Sequence, residues 1–529
     1  MKMAIRILML MLLTVVGLRA SLALGQPFDE TTISFSIADD NILMDPGETR
    51  RNSPNVYIGG QAASAVDRVG GSVYNQTASR LALKKTLDTG QLFPEGALRL
   101  RLAVNSEGDY SFADDGTYLA LNWVPKDKFL MKLTMFPVDS DRFRLGYHYD
   151  ITWGGTRTFP KNFTKGLVPG VKLAFKMPIF DAFIGMKTAL VRSPAEDILD
   201  NPGGNTNQFV ERTFYGALGG LGIEPVKGFR IMAQGGYFAK GTSTRADVLG
   251  KRVHSGGMSF IAAYHIGGEV GHRLDLRMYY EDPERFSIKP MKSSSSDFGF
   301  DISVEYSRLV QTLEDPDHFG STTNEWSNAF ALSAGMRINK LRLHFDSIYR
   351  DLSYIVWNVP GFVPNQALPR SAELGHGGPF AFLPESMGGE IFMVLSSDYH
   401  IDLKGPHGLT PAVSFGFLLP ATYTPSATGG VGQGPYAASQ AQGIQTTVVR
   451  GSSSGDWDTL PAGEEELPVF MVKFDLRYSI SQVFSLIAEA SYANDPNYSQ
   501  VEIDPHGHAN RVYIDPNIIG LGIVSEMSF

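Results

Sequence analysis

The sequence predicts an all-β chain whose strands close into a transmembrane, antiparallel up-and-down β-barrel. Three observations predict it: a two-residue alternation of apolar and polar side chains repeated along the chain, connections that alternate short and long, and no apolar run after the N-terminal segment long enough for a spanning helix. The 56 Gly, 21 Tyr and 33 Phe among 529 residues suit strands and turns better than helices.

The first element is a secretory signal over residues 1–25. Lys2 and Arg6 precede an uncharged apolar run over 7–18, followed by small residues as far as Gly25. That run is too short to cross a hydrocarbon core of about 30 Å as a helix. Cleavage is expected after Gly25, with Ala23 as the other permitted site. The chain has no Cys, which excludes a lipid-modified cysteine, a disulfide and a thiolate-bound metal. Cleavage removes Lys2, Arg6 and Arg19 but no acidic residue, so the exported chain is more acidic than the formal charge of −9. Nucleic acid is therefore not an expected partner.

Residues 26–71 follow, read as an N-terminal extension, a plug or a first strand, and 72–529 are read as the barrel. Within 142–151, Phe143, Leu145, Tyr147, Tyr149 and Ile151 share one face, against Arg142, Arg144, His148 and Asp150. Within 298–306, Phe298, Phe300, Ile302, Val304 and Tyr306 alternate with Gly299, Asp301, Ser303 and Glu305. The pattern recurs at 98–104, 171–177, 274–280, 341–349 and 470–480. About 19 candidate strands lie between Ser72 and Phe529. Closed bacterial barrels have an even number of strands, so the expectation is about 18 strands, within a range of 16–20.

Tight turns are expected near 178–181, 224–228, 267–271, 339–340 and 479–482. Long polar connections are expected at 152–169, 192–211, 351–388, 421–466 and 494–516. Short turns inside the cell envelope and long loops outside it are the plan of a membrane barrel. The alternation slips between 281 and 326, which places a miscounted strand there.

Period two alone does not separate a membrane barrel from a soluble sandwich. The polar faces carry charges at strand centres, costly in a dry core and harmless in a water-filled lumen. Tyr147, Tyr149, Tyr280, Tyr306, Tyr349, Tyr478 and Tyr492 stand at strand ends on the apolar face, as an interfacial girdle requires. The last segment places Ile519, Leu521, Ile523, Ser525, Met527 and Phe529 on one face. It resembles the C-terminal strand that bacterial outer-membrane β-barrel proteins present to their assembly machinery, with Phe529 as the insertion signal. The resemblance implies the outer membrane of a Gram-negative bacterium, lipid as surroundings, the barrel-assembly machinery as a partner in biogenesis, and a porin-like class.

The candidate site is a basic ladder. Lys132, then Arg142 and Arg144, then Lys172 and Lys176 fall on three successive candidate strands, and Arg99 and Arg101 share the polar face of another. Basic rings lower the entry barrier for anions, whereas Arg paired with Asp and Glu across strands merely stiffens the wall. The function expected is passive passage of small polar, anionic solutes. The alternative is a structural or adhesive barrel with envelope-protein partners, or one that assembles with copies of itself.

No enzyme, cofactor or metal centre is expected. His148 and His344 lack a Gly-x-Ser-x-Gly companion, and Gly429–Gly434 lacks the Lys of a phosphate loop. Asp504, His506 and His508, like Asp315 and Asp317, fall short of a ligand set.

Overall fold

In the computed structural model the described residues lie within 32–528, apart from 44–67, 76–84, 105–109, 147–167, 195–208, 243–247, 271–297, 358–386, 425–445, 450–456 and shorter stretches. The wall is built from β1 (Thr32–Asp39), β2 (Arg68–Asn75), β3 (Gly90–Val104), β4 (Tyr118–Lys126), β5 (Phe129–Phe136), β6 (Gly170–Lys176), β7 (Phe180–Pro194), β8 (Phe209–Val226) and β9 (Phe229–Thr242). It continues through β10 (Arg252–Gly267), β11 (Phe298–Glu314), β12 (Thr322–Ile338), β13 (Leu341–Arg350), β14 (Glu390–Tyr399), β15 (Gly408–Leu419), β16 (Val469–Ser479), β17 (Phe484–Asn494) and β18 (Asn517–Ser528).

Each strand pairs antiparallel with the next. The first strand also pairs with the last, Ile33 lying opposite Val73 on one side and Met527 on the other. Among the described residues each wall strand is therefore paired on both sides, the condition under which strands can cross lipid.

One end of the barrel carries the short connections 177–179, 227–228, 339–340 and 480–483. The other carries 137–169, 195–208, 351–389, 420–468 and 495–516, which include a helical turn at Leu352–Trp357 and a hairpin of Ser499–Ile503 with Ala509–Tyr513. Local chemistry matches the tight turns. Asn339 adopts a left-handed φ of 53°, which Asn tolerates. Gly228 has φ 83° and lies where an added Cβ would stand 2.2 Å from the His265 carbonyl oxygen.

Two segments expected as wall strands are not interposed between their described neighbours. β5 pairs directly with β6, Leu133 opposite Leu173, so 142–151 is not interposed. Phe143, Leu145 and Gly146 instead belong to the connection, and the alternation there reflects Phe143 and Leu145 burying against the inner wall. β10 likewise pairs directly with β11, Gly267 opposite Gly299, so 267–271 is not a hairpin turn between wall strands. Residues 274–280 lie outside the described residues, and the neighbouring edges are filled without them. A long connection, 268–297, thus sits at the short-turn end.

Burial is inverted relative to a water-soluble protein. Ile184, Phe474 and Ile523 are 62%, 59% and 60% exposed, whereas Glu305, Asp346 and Lys473 are each 1% exposed. The exposed apolar residues occupy the outward positions, and the buried polar ones the inward positions, of the same strands. Water against the outside would cost about 25 cal/mol per Å² of apolar surface; lipid removes that cost.

Aromatic residues rim this band. Tyr215, Tyr237, Tyr306, Trp326, Tyr349 and Tyr492 are exposed toward the long-loop end, and Tyr264, Phe298, Tyr399 and Tyr478 toward the short-turn end. Tyr147, Tyr149 and Tyr280 lie outside the described residues. A closed antiparallel wall with a lipid-compatible exterior, two aromatic girdles and short turns at one end is an outer-membrane-type barrel.

Candidate functional site

The described residues of the connection between β5 and β6 pack against the inner face of the wall. The chain leaves β5 in an extended ladder, with the Val168 amide donating to the Val138 carbonyl at 2.8 Å and the Ser140 amide to Val168 at 3.0 Å. Ser140 Oγ donates to the same Val168 carbonyl at 2.6 Å, and the Phe143 amide turns back to Ser140 at 2.8 Å. Beyond this turn Phe143 and Leu145 are buried inside the barrel. Phe143 stacks on Phe136 at 6.1 Å and meets the edge of Phe183 at 6.0 Å.

Two hydrogen bonds fasten this segment to the wall. Lys187 Nζ donates to the Phe143 carbonyl at 3.1 Å, and the Gly146 amide donates to Gln234 Oε1 at 2.9 Å. The wall makes room by omitting side chains. A Cβ on Gly185 would stand 2.5 Å from the Phe143 ring, and one on Gly236 would stand 3.1 Å from Leu145.

Basic side chains surround the seat. Lys132 lies opposite Ala174 and Thr134 opposite Lys172, so the two lysines share the inward face of adjacent strands. Lys132 Nζ stands 5.5 Å over the Tyr118 ring; Lys172 Nζ stands 5.6 Å over Phe143 and 5.1 Å over Phe183. Lys176 is exposed and opposite Asp181 in register. Asp181 in turn holds Arg230 Nη2 at 2.7 Å from both carboxylate oxygens, reaching across the inward face of Gly222.

The sequence-derived ladder is thus brought together on two neighbouring strands instead of three, as far as it is described. Arg142, Arg144 and Phe529 lie outside the described residues. Arg99 and Arg101 stand in β3 opposite Tyr74 and Ser72, with their side chains outside the described set. Lys187 and Arg230 are additions that the sequence reading missed. Their signal was present in the alternation of Phe183, Gly185 and Lys187 against Ile184 and Met186.

The wall from β10 to β17 also carries charge pairs. Arg342 Nε meets Asp398 at 2.6 Å, Arg350 Nε meets Glu390 at 3.0 Å, and Lys473 Nζ lies 3.2 Å from Asp475 and 3.4 Å from Glu489. Ser259 Oγ donates to Glu305 at 2.7 Å and Ser333 Oγ to Asp346 at 2.6 Å. In this sector the cross-strand alternative describes the wall, and its charges are buried rather than lining open water.

His344 is inward and joins Ser333 and Asp346, but one ring nitrogen, Nε2, faces both, at 3.3 and 3.2 Å. A nucleophilic relay needs the serine on one ring nitrogen and the acid on the other. Among the described residues no three His, Asp or Glu side chains are grouped as metal ligands. His318 bonds Asp315 at 3.1 Å, and Asp317, Asp504, His506 and His508 lie outside the described residues.

At the short-turn end, Lys340 Nζ meets Asp402 at 2.5 Å, and His400 Nε2 meets it at 3.1 Å. The hydrogen bond from Lys340 holds the Asp402 carboxyl below its ordinary range and raises Lys340.

No family model matches this sequence, and no curated protein matches it. Among solved structures the chain is similar to Pseudomonas aeruginosa OccK3 (OpdO), at 9% identity and a TM-score of 0.40, covering 95% of this chain and 96% of that one. It is similar to the outer membrane protein OprD of Pseudomonas aeruginosa, at 8% identity and a TM-score of 0.39, covering 95% of each chain. It is also similar to the trimer form of OmpT, an outer membrane protein of Vibrio cholerae, at 11% identity and a TM-score of 0.33, covering 94% of this chain and 98% of that one.

Proposed function

We propose that this chain is a porin-like channel of a Gram-negative outer membrane, admitting small polar solutes by diffusion with a preference for anions. The observation that carries the reading is the seat of Phe143 and Leu145 inside the barrel, beside Lys132, Lys172 and Lys187. A narrowed passage brings a solute close to these cations, where low-dielectric walls strengthen their field and attract negative charge. Lys176, exposed on the same face, extends the attraction toward the short-turn end. Passage of this kind needs no covalent chemistry.

The test is single-channel recording in planar bilayers under a salt gradient. Stepwise conductance with an anion-selective reversal potential is expected, and replacing Lys132, Lys172 and Lys176 with Gln is expected to move that potential toward cation preference. An absence of conductance contradicts the channel; an unmoved potential contradicts the role of the lysines.

A further inference from the structure

We propose that the outward face of β11 and β12 holds the phosphate of an anionic lipid headgroup, with Arg308 as its cation and Trp326 as its platform. The proposal rests on the exterior facing lipid and is independent of conductance.

The outward row of β11 is apolar from Phe298 to Tyr306 and then changes to Arg308. In register Arg308 lies between Met258 of β10 and Asn328 of β12. The row above contains Val310 and Trp326, and the row below Tyr306 and Phe330. A cation in an outward row is costly near the bilayer midplane and nearly free at its interface. Arg308 comes ten positions after Phe298; at about 3.4 Å per residue and a tilt of roughly 40° that is about 26 Å of height, matching an apolar band of about 25 Å. Its depth is that of the headgroups on the long-loop side.

Arg308 has no countercharge of its own. Its Nε is buried without a hydrogen-bond partner, and no ion pair to it forms among the described residues. The guanidinium carbon stands 4.3 Å from the centre of the Trp326 ring. Stacking fixes the plane of the guanidinium, whose coplanar N–H groups match the oxygens of a phosphate. Neighbouring groups are turned to one another: Tyr306 Oη donates to Asn328 Oδ1 at 2.8 Å, while Asn328 Nδ2 and Tyr349 Oη donate to the Asp351 carboxylate at 3.1 and 2.9 Å, so this nearby anion is held by its own donors. Arg252, exposed on the outward face of β10 nearer the long loops, adds positive charge along the same approach. Charge, depth and a preorganised fork together favour a lipid phosphate over an apolar occupant.

The whole chain, purified in detergent and verified as folded by its heat-sensitive gel migration, is to be titrated with dioleoylphosphatidic acid or dioleoylphosphatidylcholine and read by native mass spectrometry. Retention of phosphatidic acid over phosphatidylcholine is expected, falling about tenfold in Arg308→Gln and less in Trp326→Phe, with Arg308→Lys recovering only part of it. Lys340→Gln, at the opposite end, is expected to leave retention unchanged. Equal retention by the parent chain and Arg308→Gln overturns the proposal. So does self-association that depends on Arg308 while lipid retention does not, which would make a second copy the occupant.

Discussion

The backbone carbonyl of Phe143 accepts a 3.1 Å hydrogen bond from Lys187 Nζ, tying the connection after β5 to a wall strand two positions away. Lys187 is 4% exposed, so its ammonium is held in place rather than waving in solvent. Lys187→Met removes this donor and leaves the carbonyl unsatisfied. Bonds to charged groups contribute roughly 1.5–3 kcal/mol, and a loss of that size in unfolding free energy is expected. Conductance is expected to rise or flicker as the segment loosens; an unaltered current trace would show that the bond does not hold the constriction.

The seat for Phe143 depends on a missing side chain. Gly185→Ala places a methyl 2.5 Å from both the Phe143 ring and the Val171 carbonyl. Overpacking of this kind costs about 1–3 kcal/mol. The expected signature is a lower unfolding midpoint in urea together with altered conductance, because the ring and the wall cannot both stay where they are.

Lys473 stands between two carboxylates on the inner wall, Asp475 and Glu489, and all three are buried. Removing one partner of a buried cluster typically costs about 3–5 kcal/mol, since uncompensated charge remains. Lys473→Met is expected to destabilise the barrel by that order, and combining it with Asp475→Asn and Glu489→Gln is expected to restore much of the loss. Additive losses in unfolding free energy would contradict the pairing.

The short-turn end offers a titration. With the Asp402 carboxyl lowered by Lys340, any stability from the pair is present above the ordinary carboxylate value and is lost as pH falls through the lowered one. Both groups are solvent-exposed, so the effect is confined to the turn. Carbon-detected NMR of Asp402 is expected to show a midpoint below 3.8 that rises in Lys340→Gln. A midpoint unaffected by that substitution would show no coupling.

Strand alternation made most of the wall legible in the sequence, because lipid outside and polar lumen inside impose period two on each crossing. It misled at Phe143 and Leu145, which alternate with polar residues yet serve as an inward wedge. A segment lying extended against a wall obeys the same local rule as a strand within it, and only the direct pairing of Leu133 with Leu173 separates the two. The ladder was legible in part: Lys132, Lys172 and Lys176 follow from parity, as do Lys187 and Arg230 when the reading is extended. The paired state of Arg342 and Lys473 was not legible, because Asp398 and Glu489 reach them only once register is fixed. Nor does any sequence rule mark the trough of Gly185 and Gly236, since a glycine gives no sign of the side chain it admits.

The central claim is that alternate residues of one strand meet lipid and enclosed lumen. The natural absence of Cys allows single cysteines to be placed without background, at Ile302, Ser303, Val304 and Glu305 of β11 and at Phe474 and Asp475 of β16. Spin labels there, in reconstituted vesicles, report access to lipid-soluble oxygen against a water-soluble nickel chelate. Oxygen-dominated access is expected at positions 302, 304 and 474, with loss of that preference at 303, 305 and 475; uniform chelate access at 302, 304 and 474 would show that these faces do not meet lipid.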